Sequence, residues 1–480
     1  MTGKQRIARS PIVVVLGHID HGKTTLLDTL RKTKIAGRES GGITQHAAAY
    51  ELPHLSASSG HVRRITFIDT PGHEAFEAMR KRGARLADIA VLLVAADDGV
   101  KPQTIESLRA IEEVPIPFVV AINKMDLPTA DSARVKSQLA ENGVAIEEWG
   151  GKTPLVEISA KTGANLDGLL EMILLVSEIE DLTMDPSALA SGVVLESYRD
   201  PRRGNTAELV LRDGSLKKGN SIVAGSTVAS IKIMEDSDGN AINEAKASSP
   251  VRIAGFDKLP AVGALFMAYA DKTEAEEKQR EIMSGTEATG PRRGGGIPLF
   301  FKADTAGSLE AIEEALKKIE SEMAWYVAGS GIGDMGENDA RFIETLADPI
   351  VFGFRVDMSR YARSRTAGRA YPRFDIIYEA IKWITKMFAE SRRGPAPPWR
   401  GRLLVLRYFR KEGSHHIVGG RVIEGSVRRG DIFEEGKGRV ITIERNKTRV
   451  EEITKDEEAG LEMETPKPPR EGQTISFYAQ

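Results

Sequence analysis

The segment Gly17-His18-Ile19-Asp20-His21-Gly22-Lys23-Thr24, followed by Thr25, constrains the fold of this chain more than any other. It has the G-x4-G-K-T spacing, with the apolar run Ile12-Val13-Val14-Val15-Leu16 before it and Leu26-Leu27-Asp28-Thr29-Leu30 after it. A buried strand, a glycine turn and a helix start, in that order, turn backbone N–H groups around phosphate oxygens. The N-terminus of the helix adds its positive dipole. Lys23 then supplies charge to the outer phosphates, and the Thr24 hydroxyl is a ligand for Mg²⁺.

Three later segments extend this reading. Asp69-Thr70-Pro71-Gly72-His73 follows the strand-like Ile65-Thr66-Phe67-Ile68. An acid at that strand end holds Mg²⁺ through a water, and Gly72 presents its N–H to the terminal phosphate. Asn123-Lys124-Met125-Asp126 follows Phe118-Val119-Val120-Ala121-Ile122. The Asp126 carboxylate can accept both N–H donors of a guanine edge, a pair that adenine lacks. Ser159-Ala160-Lys161, after Leu155-Val156-Glu157-Ile158, fits a base-contacting turn. Singly, these are a capping Asp, a turn Asn and a surface Lys. In this order, each behind an apolar strand, they specify GTP as substrate and GDP as product. Between them lies Glu39-Ser40-Gly41-Gly42-Ile43-Thr44-Gln45-His46. Thr44 is its hydroxyl placed to become a second Mg²⁺ ligand when the γ-phosphate is present, as in an order-to-disorder switch.

The pattern of elements gives a multidomain α/β and β chain. Residues 1–10 read as a short tail. From 11 to 181, apolar runs alternate with helical stretches such as 74–85 and 101–113, the rhythm of a P-loop GTPase domain with a mostly parallel sheet. Short strands separated by turn signals over 190–272 indicate a β-barrel. Residues 273–296 read as a polar helix and a glycine-rich linker. An α/β domain follows over 297–390, with strands at 299–303, 325–328 and 350–354 and helices at 308–320 and 375–389. A Pro-rich linker at 391–400 leads to short strands over 401–480, a C-terminal β-barrel.

Charge and composition exclude several classes. The 480 residues carry 66 basic and 69 acidic side chains, so the chain is not a uniformly basic nucleic-acid binder. Without cysteine it has no disulfide, thiolate metal site or thiol nucleophile. No signal core or membrane-length apolar run is present, so a cytoplasmic, membrane-free location is expected. Nothing in the sequence signals homo-oligomerisation, and a monomer is expected. Residues 392–449 hold 15 Lys/Arg against 6 Asp/Glu. Just before them, Arg355, Arg360, Arg363, Arg365, Arg369 and Arg373 interleave with Tyr361 and Tyr371. This composition suits RNA contact.

The motifs at 17–25, 69–74 and 123–126, with Gly41-Gly42-Ile43-Thr44-Gln45-His46 as the most discriminating, make the chain resemble bacterial translation initiation factor two. Leu211-Arg212-Asp213-Gly214-Ser215-Leu216-Lys217-Lys218-Gly219 looks like that family's second-domain barrel, and 302–310 like the start of its third domain. The resemblance implies a GTPase that brings formylmethionyl initiator tRNA to the small ribosomal subunit and promotes subunit joining. Ribosomal subunits and initiator tRNA would be its partners. It further implies a monovalent cation near Asp20, a water-orienting role for His73, and an aminoacyl-end site in the last barrel. Relative to the family, a long N-terminal extension is expected to be missing. Gly420 and Ala459 stand where the family carries cysteines, and Arg421 and Glu462 to Glu464 are expected to bring charge into neighbouring apolar positions.

Hydrolysis would be in-line attack of water on the γ-phosphate, with Lys23, Mg²⁺ and backbone N–H groups stabilising charge. With no arginine finger evident near the switches, unstimulated turnover is expected on the order of 10⁻⁴ to 10⁻² per second. Two alternatives remain at this level: another tRNA-delivering GTPase, or a GTP-gated RNA-binding scaffold outside initiation. The first would continue from one barrel directly into another, whereas 297–390 reads as α/β.

Overall fold

The computed structural model describes residues 6–31, 47–57, 59–71, 74–284, 296–319, 325–365, 371–391, 399–412, 415–433 and 438–479. The chain forms two compact units, 1–386 and 387–480. Thr44, Gly72 and His73 lie outside the described residues, as does most of the expected glycine-rich linker.

In the first unit, β1 (Ile12–Gly17) leads through a 3-10 turn (Ile19–His21) into α1 (Lys23–Arg31). Then come β2 (Ala48–Leu55), β3 (Val62–Asp69), α2 (Glu77–Leu86), β4 (Ile89–Ala95), α3 (Pro102–Glu113), β5 (Phe118–Asn123), α4 (Ser132–Glu141), β6 (Leu155–Glu157) and α5 (Leu166–Ile179). The strands lie in the order β2-β3-β1-β4-β5-β6, parallel except for the β2–β3 pair. Every residue of β1 and β4 is buried, because helices cover both faces of the sheet. Val13 and Val15 join one core with Leu26, Leu27, Leu169 and Ile173 of α1 and α5. On the other face, Val14 lies beneath Gly83 of α2, where an added Cβ would stand 3.1 Å from it.

A closed barrel follows, formed by β7 (Ser191–Asp200), β8 (Gly204–Asp213), β9 (Ser221–Ala224), β10 (Thr227–Glu235), β11 (Pro250–Phe256) and β12 (Leu265–Tyr269). Closure removes the exposed strand edges that an open sheet of this size would carry. After α6 (Lys272–Ser284) comes the layer made by β13 (Ile297–Ala303), α7 (Ala306–Lys317), β14 (Trp325–Ile332), α8 (Glu337–Glu344), β15 (Ile350–Phe354), α9 (Arg360–Arg365) and β16 (Arg373–Phe374). Its sheet, β14-β13-β15-β16, is parallel throughout. Phe301 and Phe352 stack across neighbouring strands at 5.2 Å, with Trp383 of α10 (Ile377–Ser391) edge-on to Phe352.

Residues 6–10 are no free tail. Ile7–Ala8 pairs with Thr183–Met184, and Arg9 donates to both Asp88 oxygens at 2.6 Å. The expected linker at 391–400 is also shorter than its composition suggests: α10 runs to Ser391, and the first strand of the second unit begins at Trp399.

That unit opens on two long antiparallel strands, β17 (Trp399–Glu412) and β18 (His415–Arg428), rather than short ones. With Ile432–Phe433, Gly438–Arg445, Glu458–Glu464 and Thr474–Tyr478 they pair into a closed ring. Among the described residues, Arg421, Glu462 and Glu464 do not bring the expected charge into its apolar interior. Leu461 and Met463 point into the core, while Glu462 between them binds His415 and Thr442. Arg421 is exposed and paired with Glu458. The two-residue period of a strand sends these charges to the outer face. Gly420 and Ala459 lie opposite each other in register, with Leu403 filling the space a Cβ on Gly420 would need. The basic surplus is also largely balanced: over 387–480 there are 18 Lys/Arg and 15 Asp/Glu. Arg400, Arg428, Arg429 and Arg445 each face a carboxylate.

Candidate functional site

The described residues of the four motifs converge at the C-terminal ends of β1, β3, β5 and β6, where open parallel sheets bind ligands. Gly17 ends β1 at φ +144°, so close to β4 that an added Cβ would lie 2.3 Å from the Leu93 carbonyl. Gly22 closes the turn at φ +91°. Both positions need glycine for backbone conformation as well as space. Asp20, at the tip of the turn, is exposed, and so is Thr25 at the start of α1.

Lys23 is buried and donates to the carbonyls of Gly17 and His18 at 2.9 and 2.8 Å. Burial lowers its pKa to about 8, against the opposing pull of Asp69 and Asp20. His21 is fully buried, and burial lowers its pKa to about 4. The ring is therefore neutral near pH 7, and its Nδ1–H donates to the Leu93 carbonyl at 3.2 Å. Ile19 N–H donates to Gln103 Oε1 at 3.0 Å, a support for the loop that no sequence motif revealed.

Asp69 ends β3 in register with Val15 of β1. Thr70 and Pro71 after it are buried, and the Thr70 hydroxyl reaches the Val15 carbonyl at 3.3 Å. Arg80 of α2, buried and missed in the sequence, contacts the Pro71 carbonyl at 3.5 Å and Glu106 at 2.9 Å. Thr24 in the first turn of α1 and Asp69 are hard oxygen donors, the set that suits Mg²⁺.

Asn123 ties the Gly17–Thr24 loop to the turn at Ser159–Lys161. Its Nδ2 donates to the His21 carbonyl at 2.9 Å, and its Oδ1 accepts the Ala160 N–H at 2.8 Å. Lys124 turns the chain at φ +65°, and Met125 N–H reaches the Ile158 carbonyl at 3.2 Å. The exposed Asp126 carboxylate accepts from Ser159 Oγ at 2.7 Å, a bond that lowers its pKa. Lys161 stands exposed nearby, and Thr29 of α1 braces the Ala160 carbonyl at 2.7 Å. The result is a cradle of N–H donors and cations at one end and a fixed carboxylate at the other.

Comparison with known proteins matches three family models to successive parts of the chain. The family described as Elongation factor Tu GTP binding domain matches residues 8–178. Elongation factor G domain 2 matches 189–269, and Translation-initiation factor 2 matches 270–385. Translation initiation factor IF-2 of Rubrobacter xylanophilus is 39% identical over 98% of this chain and 71% of its own length. The namesake factor of Aquifex aeolicus is 38% identical, over 98% and 61%. That of a Synechococcus strain is 37% identical, over 98% and 47%, so the chain spans roughly half to 70% of these relatives. Among solved structures, GDP-bound aIF5B from Aeropyrum pernix aligns with a TM-score of 0.52 at 26% identity. The alignment covers 99% of this chain and 92% of that one.

Proposed function

Since the chain belongs to the translation initiation factor IF-2 family, we propose that it is a GTP-dependent initiation factor. In this reading it promotes binding of formylmethionyl initiator tRNA to the small ribosomal subunit, then subunit joining, with ribosome-stimulated GTP hydrolysis. The observation that carries the nucleotide part is the fixed geometry of Asn123, which joins the Gly17–Thr24 loop to the Asp126 and Ser159 pocket. The α/β layer after the first barrel favours an initiation factor over an elongation-type factor, which would place a second barrel there.

The residues divide the work by position. Gly17, His18, Ile19, Asp20, His21, Gly22, Lys23, Thr24 and Thr25 wrap the phosphates. Asn123, Lys124, Met125, Asp126, Ser159, Ala160 and Lys161 hold the base. Bound Mg²⁺ neutralises developing phosphoryl charge. Thr24 would hold it directly, Asp69 through water, and Thr44 as the second hydroxyl ligand. Lys23 stays protonated once phosphate replaces the loop carbonyls, and Gly72 offers an N–H to the γ-phosphate. His73 orients the attacking water, and Asp20 supports a monovalent cation beside the phosphates. The second unit takes the aminoacyl end of the initiator tRNA on a face near Gly420 and Ala459. The protein acts as a monomer in the cytoplasm, where its ribosomal partners are.

Subunit joining followed by light scattering, with purified subunits and formylmethionyl-tRNA, tests this reading. GTP should accelerate joining and GDP should not. Equal rates with either nucleotide would sink it.

A further inference from the structure

Four large apolar side chains stand open to solvent on β2, β3 and α5 of the GTPase domain. Leu55 and Val62, cross-strand partners on β2 and β3, are 67% and 65% exposed. Leu175 and Ile179 on α5 are 52% and 74% exposed. Direct cross-strand partners touch, and residues four apart share a helix face, so each pair forms one apolar lip. Beside them runs a groove of about 620 Å³. Val62, Arg63 and Arg64 wall it on the strand side, and Ser177, Glu178 and Asp181 on the helix side. Arg63 donates to Glu178 at 2.9 Å, which fastens the two walls together. Apolar groups gathered around a groove mark an interaction surface, whereas scattered ones do not.

Charge around the groove selects the partner. No Lys or Arg occurs between Lys161 and Arg199, while Asp167, Glu171 and Glu178 lie on α5 and Glu180 and Asp181 follow it. The last turn of α5 carries no cation, although a helix C-terminus attracts positive charge and repels carboxylates. The arginines of the groove are already matched: Arg9 to Asp88, Arg63 to Glu178 and Arg64 to Glu51. Glu180 and Asp181 have no ion-pair partner among the described residues. Such an edge repels phosphate, so neither RNA nor anionic lipid suits it. A second copy docked symmetrically would set these carboxylates against their own counterparts. We propose that this face docks a basic amphipathic helix of another protein. The apolar stripe of that helix rests on Val62, Leu175 and Ile179, and its lysines or arginines stand beside Glu180 and Asp181.

A labelled peptide of about 18 leucine and lysine residues with one apolar helical face is the probe, titrated by fluorescence anisotropy into the whole chain. Leu175→Ser combined with Ile179→Ser should weaken its binding by at least about tenfold, the scale of burying one or two apolar side chains. Ile233→Ser removes an exposed apolar side chain of the first barrel and should leave binding within about twofold. Glu180→Lys suits the helix C-terminus, so it should raise the melting temperature yet weaken the peptide by about threefold. A merely solvated acidic edge would gain that stability with no change in binding. The same variant carries the test where the double variant does not fold. No binding to the unmodified chain, or an equal loss at Ile233→Ser, would overturn the proposal. So would a double variant that instead releases an RNA oligonucleotide or splits a dimer in sedimentation, since the face would then have another occupant.

Discussion

Protonation makes Lys23 informative as a single residue. Its pKa of about 8 lies below the 10.5 of a free lysine, because burial penalises the charged form. In the nucleotide-free protein, the unfolded chain then binds more protons than the folded one between those values. Stability should therefore rise with pH from about 8 to 10.5, the sign expected of a depressed lysine. GTP reverses the balance, since phosphate charge favours the ammonium. Binding above pH 8 should take up a proton, and affinity should fall by up to roughly tenfold per pH unit. Calorimetry in buffers of differing ionisation enthalpy measures this directly; binding heats independent of buffer would contradict it. At the other end of the site, Asp126→Asn replaces one of two acceptors with a donor. GTP affinity should fall by roughly a hundredfold or more, with partial recovery for xanthosine triphosphate, which offers the matching acceptor. Competition titration with both nucleotides checks the exchange.

Loops at the strand ends form the next scale, and there glycine sets the tolerance. A Cβ on Gly22 would sit 2.6 Å from Asn123 Nδ2, at a φ of +91° that side chains rarely adopt. Gly22→Ala should push Asn123 off the His21 carbonyl and weaken GTP and GDP together by at least about tenfold. Titration of both nucleotides measures this, and a loss confined to one of them would contradict it. These loops were legible in sequence because their chemistry is local, and those after β1 and β5 follow strands buried on both faces, written as unbroken apolar runs. Elements that draw on distant partners were not legible. Helix α8 buries only Ala340 and Ile343, too few for a periodic signal, and α9 buries only Ala362. The stretch around Arg80 reads as a polar helix, but nothing local says that Arg80 turns inward while Lys81 stays at the surface. The answer lies in Glu106 on another helix. The charges of the last barrel misled for the converse reason. Counted along the chain they form a basic block, yet strand pairing sets Arg421 beside Glu458, 37 residues away.

Within residues 1–386, the GTPase domain and the first barrel are joined through one buried ionic centre. Arg9 and Asp88 have side chains 7% and 4% exposed and meet through two bonds of 2.6 Å. Asp88 also accepts the Ile12 N–H at 2.9 Å, which fixes the start of β1. From the barrel side, Ser248 Oγ receives a bond from Arg9 at 3.2 Å, and its own carbonyl takes the Thr66 hydroxyl at 2.6 Å. Arg212 of β8 adds a 2.7 Å bond to the Leu86 carbonyl. Removing one partner of a buried pair leaves the other charged and uncompensated, a loss larger than any surface ion pair. Arg9→Ala should therefore cost about 3 kcal/mol of stability. The centre sits at the N-terminal end of β1, and the nucleotide loop sits at its C-terminal end. Affinity for GTP should accordingly change by less than about twofold, because no phosphate or base contact passes through Arg9. Chemical denaturation paired with nucleotide titration measures both quantities. A loss under about 0.5 kcal/mol would mean that the arm rests on the junction without holding it, as a surface pair would. A large loss of GTP affinity would mean that strain at one end of β1 is felt at the other.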